Sequence, residues 1–304
     1  MSIFTKMLLA TDGSEDAQRA VEIASGLSTK LESELYLVYV AREHPYLHAY
    51  HDQRHQEEEE ERFKSEDEQM LGESVKYVRK AGGAVTESYL RVGEAAKEIV
   101  ELAEELGAGL VVLGSNGRGR ISRALMGSVS TSVLRHAHCS VLIARGYDPS
   151  PEHARPLGKI LVAIDGSEEA SAAARVAGEI AKATGSEAHL VYAMQEERYR
   201  PHLGPEMWEG WQEGFEHAKR SARSWVEGQA ERMRSERVKT VKSHLLLGRP
   251  DAATVWLAEE IGAGLVVLGS RGLGGMKRIL TGSVSDSVAR HAHCPVMVVR
   301  KEMR

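Results

Sequence analysis

Short apolar runs alternate with helical patterns along both halves of the chain. Uninterrupted apolar runs are typical of strands that are buried on both faces of a sheet. In the first half they predict five strands: Lys6–Ala10, Leu35–Val40, Val85–Leu90, Leu110–Leu113 and Val141–Ala144. Between the first two strands, one face of a predicted helix carries Ala17, Ala20, Val21, Ala24 and Leu27. Strands that alternate with helices predict a parallel sheet.

Two further helical patterns fit this alternation. Ala95–Leu106 is a predicted helix between the third and fourth strands. In the second half, large apolar residues step by three and four positions, as on an amphipathic helix. They are Trp208, Trp211, Phe215, Ala218, Ala222 and Trp225.

The two halves repeat each other at a spacing of about 150 residues, which indicates a domain duplication. "LLATDGSEDA" (8–17) matches "LVAIDGSEEA" (161–170), and Gly107–Cys139 matches Gly262–Cys294. A polar, proline-containing stretch joins them. We predict a first domain over 1–146, a linker over 147–158 and a second domain over 159–304. The predicted fold is α/β: two tandem Rossmann-like doubly wound domains, each a five-stranded parallel sheet with helices on both faces.

A glycine-rich loop follows the fourth strand of each half. In the first copy it carries Gly114, Gly117 and Gly119, and Gly127-Ser128 opens the last helix. Glycine lets the backbone approach a ligand, and a helix N-terminus offers unpaired N–H groups to an anion. The two loops contain no acid, but they contain Arg118, Arg120, Arg123, Arg271, Lys277 and Arg278. These residues favour phosphate binding; glycines that only form turns and a helix N-cap are the alternative.

Composition excludes several classes of protein. A formal net charge of −5 argues against a nucleic-acid binder, which usually has a basic face. The two cysteines, Cys139 and Cys294, occupy equivalent places and do not suggest a disulfide framework. No apolar run approaches the roughly 20 residues of a spanning helix, and no signal peptide is evident. We therefore expect a cytoplasmic protein that binds neither nucleic acid nor membrane.

The glycine spacing is also a known signature. The motif consists of Gly, two residues, Gly, nine residues and Gly-Ser. It occurs at Gly114, Gly117 and Gly127-Ser128, and again at Gly269, Gly272 and Gly282-Ser283. This spacing resembles the ATP-binding motif of the universal stress protein family, in its tandem two-domain form. "ATDGS", "AIDGS" and the closing "HCSVLIAR" and "HCPVMVVR" extend the resemblance over essentially the whole chain.

The resemblance implies that ATP is the ligand of both halves. It places Asp12 and Asp165 beside the nucleotide, although each is equally suited to a turn or cap. Val40 would contact the base, whereas its counterpart Ala193 leaves the second pocket less filled. The implied ligand-contact residues are Ala10, Asp12, Val40, Gly114, Gly117, Gly119, Gly127, Ser128, Val129, Ala163, Asp165, Ala193, Gly269, Gly272, Gly282, Ser283 and Val284.

Groups for rapid ATP hydrolysis are missing from the sequence. No Walker Lys-Ser/Thr follows a glycine-rich turn, and Asp12 and Asp165 are the only nearby carboxylates. The nucleotide phosphates would hold Mg²⁺ or Mn²⁺, because no dedicated protein cage for a cation is visible. We expect no catalytic residues, and at most slow incidental hydrolysis.

Three other groups of residues invite a functional interpretation. The sequence "RHAHC" (135–139 and 290–294) suggests a zinc site. A fourth ligand is not evident, however, and histidines at the end of a helix interact favourably with the helix dipole. We therefore predict no protein metal site. The histidine-rich segment 42–55 is either an exposed connection or a lid or metal-sensing patch. The tryptophans are expected in the core or in a subunit contact rather than stacked on a ligand.

The fifth strands, "SVLIAR" and "PVMVVR", should lie at sheet edges, which need covering. By resemblance to the family, we expect them to pair as an internal pseudo-dimer, and two chains to associate further. The leading hypothesis is an ATP-binding stress-response protein whose nucleotide sets its conformation or partners. The alternative is a scaffold or chaperone-like protein with one or no competent site. A synthetase or nucleotidyl transferase is disfavoured, because neither HxGH nor SGGxDS lies beside the first strand.

Overall fold

The computed structural model of the chain describes residues 3–43, 53–117, 126–145, 157–196, 208–272 and 281–301. The chain forms two compact units, Met1–Gly146 and Tyr147–Arg304. Strands and helices alternate along each unit. Most of the predicted linker over 147–158 lies outside the described residues.

The first unit is a parallel sheet with helical crossovers. Its elements are β1 (Lys6–Thr11), α1 (Glu15–Leu31), β2 (Glu34–Ala41), α2 (Gln53–Lys80), β3 (Val85–Val92), α3 (Ala95–Leu106), β4 (Leu110–Gly114), α4 (Ser128–His136) and β5 (Ser140–Ala144). The strand order is β3-β2-β1-β4-β5, and every pair is parallel. The order reverses at β1, so right-handed crossovers place α1 and α2 on one face and α3 and α4 on the other.

The second unit repeats this topology. Its elements are β6 (Lys159–Ala163), α5 (Glu168–Thr184), β7 (Glu187–Met194), α6 (Trp208–Ser235), β8 (Val241–Leu247), α7 (Pro250–Glu260), β9 (Leu265–Gly269), α8 (Ser283–His291) and β10 (Val296–Val299). The order β8-β7-β6-β9-β10 is again parallel throughout. The predicted fold class is therefore confirmed.

The helices are surface elements with one buried face. In α6, which includes the predicted tryptophan stripe, Phe215 and Val226 are buried and the Trp211 ring stacks on Phe215 at 5.2 Å between centroids. Among the described residues, no helix combines the length and the apolar character needed to cross a bilayer.

A serine begins the first helix of each unit. The Ser14 side chain accepts a hydrogen bond from the Ala17 amide at 3.2 Å, and Ser167 accepts one from Ala170 at 3.1 Å. A side-chain oxygen at the N-cap satisfies one of the amides that a helix start leaves unpaired. The "DGSE" sequences after β1 and β6 therefore act as helix starts.

The end of β4 lies against the first turn of α1 at a distance that only glycine permits. A Cβ atom on Gly114 would lie 2.8 Å from the Ala17 nitrogen and 3.0 Å from the Asp16 Cβ. In the second unit, a Cβ atom on Gly269 would lie 2.8 Å from the Glu169 Cβ. The first glycine of each motif therefore has a packing role of its own.

An aromatic pair joins β2 and β3 on one face of the first sheet. The Tyr36 and Tyr89 ring centroids lie 6.4 Å apart. The Tyr36 hydroxyl donates to Glu34 at 2.7 Å, and the Tyr89 hydroxyl donates to Glu87 at 2.6 Å. The hydrogen bond to Glu87 raises the pKa of Tyr89 to about 12, so this pair stays neutral near physiological pH.

Histidines occupy the same two places in the second unit. The His189 and His244 rings are stacked at 5.2 Å, and the His189 Nδ1 atom lies 3.0 Å from the His244 Nε2 atom. His189 is buried, and its Nε2 atom lies 3.4 Å from Glu187 Oε2. Burial lowers the pKa of both histidines, and Lys242 lowers that of His244 further. Burial therefore favours the neutral form of both rings in the folded state.

The close approach at Gly114 generates a stability prediction. Gly114→Ala should destabilise the first unit by about 1–3 kcal/mol, because the methyl group must push backbone atoms apart. Gly26→Ala in α1 is the matched control, since a Cβ there has no atom within 4 Å. Alanine should favour that helix by up to about 1 kcal/mol. Urea unfolding followed by circular dichroism measures both, and equal effects would contradict the packing role of Gly114.

The histidine pair generates a pH prediction. Because both pKa values lie below the ordinary value in the folded state, the unfolded chain takes up these protons first. The pair should therefore cost no stability above pH of about 6.5, and the second unit should lose stability progressively as the pH falls below that value. Thermal unfolding across this range provides the measurement.

The first unit supplies the control for this pH dependence. The triple variant His189→Tyr, Lys242→Glu, His244→Tyr reproduces the side chains of Tyr36, Glu87 and Tyr89. It should lose most of the pH dependence of the unfolding temperature between pH of about 7.5 and 5.5. If wild type and variant lost the same stability on acidification, the histidine pair would not be its cause.

Candidate functional site

The residues implied as ligand contacts gather at one edge of each sheet. In the first unit β1 lies between β2 and β4, so a crevice opens where the carboxyl ends of β1 and β4 diverge. Asp12 follows β1, Val40 lies near the end of β2 and Gly114 ends β4. The second unit arranges the corresponding residues in the same way: Asp165, Ala193 and Gly269.

The aspartate after β1 forms a turn and also faces the glycine loop. The Asp12 Oδ1 atom accepts a hydrogen bond from the Ser14 amide at 3.0 Å. A Cβ atom on Gly117 would lie 2.5 Å from the Asp12 Oδ2 atom, so only glycine brings the loop backbone so near this carboxylate. In the second unit Asp165 Oδ1 accepts from the Ser167 amide at 2.9 Å, and Gly272 faces Asp165 in the same manner.

A buried carboxylate holds the start of the first glycine loop. The Asp16 Oδ2 atom accepts hydrogen bonds from Ser115 Oγ at 2.6 Å, the Asn116 amide at 3.0 Å and Asn116 Nδ2 at 3.3 Å. Asp16 is only 3% exposed, although it lies in the first turn of a surface helix. The sequence analysis missed this residue. The available signal was its position beside Ala17 and four residues before Ala20, on the buried face.

The second loop is held by different side chains. Glu169 takes the place of Asp16, and Arg271 takes the place of Asn116. The Arg271 Nη2 atom lies 3.5 Å from Glu169 Oε1, and both side chains are partly exposed. Within the part of the chain that the structure describes, Glu169 accepts no hydrogen bond from the Arg271 amide.

The last glycine of the motif ties the loop to the final helix. Gly127 is the N-cap of α4, and its N–H donates to the Ser115 carbonyl at 2.8 Å. Ser130 Oγ donates to the same carbonyl at 2.8 Å. In the second unit the Gly282 N–H donates to the Ser270 carbonyl at 2.6 Å. The Gly127 and Gly282 amides therefore already have protein acceptors.

The next two amides of each helix are different. The first hydrogen bond within α4 is the one from Thr131 to the Gly127 carbonyl at 3.0 Å, so the amides of Ser128 and Val129 precede it. Among the described residues, none accepts a hydrogen bond from these two amides, and both residues are exposed. The start of α8 has the same form, at Ser283 and Val284. These positive helix ends can bind an anion.

The base-contact positions differ between the units. Ala10 is buried and Val40 is half-buried, whereas Ala163 and Ala193 are both half-buried. The wall formed by the second strand is thus smaller in the second unit, as the sequence indicated.

The tryptophan nearest the second site has protein neighbours. The ring of Trp225, in α6, packs edge-on against Tyr192, with 5.4 Å between the ring centroids. A Cβ atom on Gly166 would lie 3.6 Å from the Trp225 ring. Trp225 therefore contacts the turn that precedes α5.

Some predicted site residues lie outside the described residues. They are Gly119 and the loop cations Arg118, Arg120, Arg123, Lys277 and Arg278. Residues 44–52 of the histidine-rich segment also lie outside them.

The histidines of "RHAHC" have separate partners. The His136 Nδ1 atom lies 2.8 Å from the Ser132 carbonyl, and His138 Nε2 lies 3.1 Å from Glu104. Cys294 is buried and Cys139 is half-buried. In the described ranges, no group of three histidine, cysteine, aspartate or glutamate side chains could hold a metal ion.

Comparison with known proteins agrees with the duplicated architecture. The universal stress protein family matches the chain twice, over residues 4–145 and 156–300. Universal stress protein Rv2005c of Mycobacterium tuberculosis is 35% identical over 243 residues, which cover 78% of this chain and 77% of that protein. Rv2623 of the same organism is 31% identical over 243 residues, covering 77% and 76%.

A solved structure shows the same fold over the full length. A universal stress protein from Archaeoglobus fulgidus superimposes with a TM-score of 0.69 at 24% identity, covering 99% of this chain and 97% of that one. Two family matches, full-length structural similarity and two units of one topology agree. The chain belongs to the universal stress protein family, as a tandem of two of its domains.

Proposed function

We propose that this protein binds ATP in the cleft of each unit and acts in the cytoplasm as a nucleotide-dependent regulator of the stress response. Membership of the universal stress protein family supports a role in stress response. The observation that carries the nucleotide proposal is the pair of outward amides at the start of α4 and again at the start of α8, each beside a Gly-x-x-Gly loop.

The proposed pose follows from the positions of these groups. The amides of Ser128 and Val129, with the Ser128 hydroxyl, would hold the terminal phosphates, where the helix dipole favours negative charge. The backbone near Gly117 would follow the ribose and the inner phosphates, because a glycine leaves room for close approach. Ala10 and Val40 would line the adenine. Gly127 contributes by joining the loop to α4, since its amide already bonds to Ser115.

A divalent ion would bind at this site only together with the nucleotide phosphates. Mg²⁺ keeps several waters and is commonly held by one or two carboxylates together with substrate phosphates. In the described part of the first cleft, Asp12 is the carboxylate beside the loop, and one of its oxygens already accepts from Ser14. Mg²⁺ or Mn²⁺ would neutralise phosphate charge and would depend on the nucleotide for its binding.

One observation favours a second candidate, a scaffold that needs no nucleotide. Gly114 avoids a clash with α1, Gly117 avoids one with Asp12, and the Gly127 amide bonds to Ser115. Packing alone therefore accounts for three glycines of the motif. It does not account for uncapped amides at Ser128 and Val129, directly after the glycine loop. Helix α3 also begins without a side-chain cap, but it follows β3 rather than that loop, so the position of the α4 start is why we favour nucleotide binding.

A charge placed at the start of α4 tests the first site. Gly127→Glu brings a carboxylate to the proposed phosphate position, where like charges about 4 Å apart repel by about 4 kcal/mol at an effective dielectric constant near 20. Affinity at that site should fall by more than about 100-fold. Nucleotide released from denatured protein and weighed by mass spectrometry should drop from two equivalents to one.

The matched control is Gly127→Gln, which has nearly the same shape without the charge. The Cβ of either residue would lie 3.2 Å from the Ser115 carbonyl oxygen, so both variants carry the same small strain. The glutamine variant should keep its affinity within about tenfold. Unchanged stoichiometry in Gly127→Glu would contradict the assigned site, and a wild-type protein that binds no adenine nucleotide would favour the scaffold.

Turnover provides a separate test. Asp12 and Asp165 are each held in a turn through one oxygen, and a single carboxylate of this kind supports only slow hydrolysis. Steady-state phosphate release should therefore stay well below about 1 per second, the lower end of typical enzyme rates. Release of several phosphates per second from purified protein would show that the site is an enzyme.

A further inference from the structure

Different side chains hold the starts of the two glycine loops, and this difference affects how tightly each loop can bind a ligand. In the first unit the holding group is the buried Asp16 carboxylate, with two side-chain donors and one backbone donor on a single oxygen. Hydrogen bonds to an ionised group are stronger than neutral ones. The Asn116 peptide is therefore fixed through its own N–H.

The same peptide is fixed from its other side. Ser14, the N-cap of α1, donates its hydroxyl to the Asn116 carbonyl at 3.1 Å. Both polar groups of the Asn116 main chain are thus bonded to the first turn of α1. Gly117 follows immediately and faces Asp12. The backbone that is proposed to approach the nucleotide is consequently ordered before any ligand arrives.

The second unit keeps the serines but changes the other two partners. Ser167 and Ser270 match Ser14 and Ser115, whereas Glu169 and Arg271 replace Asp16 and Asn116. The contact between Glu169 and Arg271 joins side chains at 3.5 Å, with 21% and 34% of the two side chains exposed. Exposed ion pairs of this kind contribute little and are screened by salt.

The described part of the second loop lacks the two main-chain anchors seen at Asn116. In the part of the chain that the structure describes, neither the Arg271 amide nor its carbonyl bonds to the first turn of α5. The close approach at Gly269 is retained, so the loop starts from the same place. What differs is how firmly the residues after that glycine are held.

We propose that Asp16 is a positioning residue that pre-orders the first loop for a nucleotide phosphate chain, and that the Glu169–Arg271 pair leaves the second site weaker and more sensitive to salt. This inference rests on the proposed function. Pre-ordering raises affinity because less conformational freedom is lost on binding. The two duplicated sites are accordingly unequal: the first fills at lower nucleotide concentration than the second.

A reciprocal exchange of the two residue pairs tests the inference. Asp16→Glu with Asn116→Arg gives the first loop the second pair, and Glu169→Asp with Arg271→Asn gives the second loop the first. Each exchange is made in a background that leaves one site, Gly282→Glu for the first and Gly127→Glu for the second. Calorimetric titration with ATP at low and high salt gives the dissociation constants.

The first exchange should weaken ATP binding by about tenfold and steepen its salt dependence, which corresponds to one charge-assisted hydrogen bond. The second exchange should tighten ATP binding by a similar factor and flatten its salt dependence. A gain of affinity is a readout that mere loss of structure cannot produce. The unfolding temperature of each variant is measured alongside.

Hydrogen exchange on the nucleotide-free protein supplies a second readout. The Asn116 amide should exchange at least about tenfold more slowly than the Arg271 amide, because among the described residues only the former has an acceptor. The exchange rates should swap in the two exchanged variants. Wild type that binds no ATP would overturn the proposed function. If the wild type binds ATP but the swaps change neither the affinities nor the exchange rates, this inference alone is overturned.

Discussion

The contact on which each cleft depends is the approach of the fourth strand to the first turn of the first helix. At Gly114 the approach leaves no space for a side chain. Because the loop leaves the sheet so near α1, Ser115 and Asn116 reach Asp16 directly. The Ser115 carbonyl then accepts the Gly127 amide and so fixes the start of α4. One close backbone approach therefore sets the positions of strand, loop and helix terminus together.

The duplication preserved this backbone arrangement and changed the side chains around it. The glycines, the serine caps and the helix-terminal bonds recur in both units at matching positions. The replaced pairs are Val40 and Ala193, Asp16 and Glu169, Asn116 and Arg271, Tyr36 and His189, and Tyr89 and His244. The backbone geometry is common to both units, whereas these side chains differ in size and charge. If both clefts bind nucleotide as proposed, the two units would respond differently to nucleotide, salt and pH.

The sequence predicted the periodic parts of the fold best. Near-continuous apolar runs gave the strands, and α3 begins and ends at the predicted residues, Ala95 and Leu106. The strands β1 to β4 extend one or two residues beyond their predicted bounds, because strand pairing continues past the apolar runs, through Thr11 in β1 and Val92 in β3. The parallel, doubly wound sheet followed from the alternation of strands and helices. Pairing of the fifth strands and association of chains stay predictions.

The site was less accessible to sequence reasoning, since it depends on contacts between distant segments. Asp16 looks like an ordinary acid in the first turn of a helix, and nothing in its neighbourhood points to a loop a hundred residues later. The family resemblance likewise implied that Gly127 contacts the ligand, but the Gly127 amide donates to the Ser115 carbonyl. Spacing identifies which residues meet; it does not identify which of their polar groups remain available.

The helix starts within one chain show why availability matters. Ser14 and Ser167 cap α1 and α5 with their hydroxyls, as most helices are capped. The helices α4 and α8 instead begin with Gly127 and Gly282, which have no side chain to offer. Replacing a serine cap by glycine costs only a few tenths of a kcal/mol, because water can solvate the amides. A bound anion would satisfy the same amides with charge-assisted bonds, which are roughly twice as strong as neutral ones. Helices α3 and α7 also begin without a side-chain cap, but they follow β3 and β8, whereas α4 and α8 each follow a glycine loop. A polyanion in the cleft would therefore gain most at the starts of α4 and α8, and least at the serine-capped starts of α1 and α5.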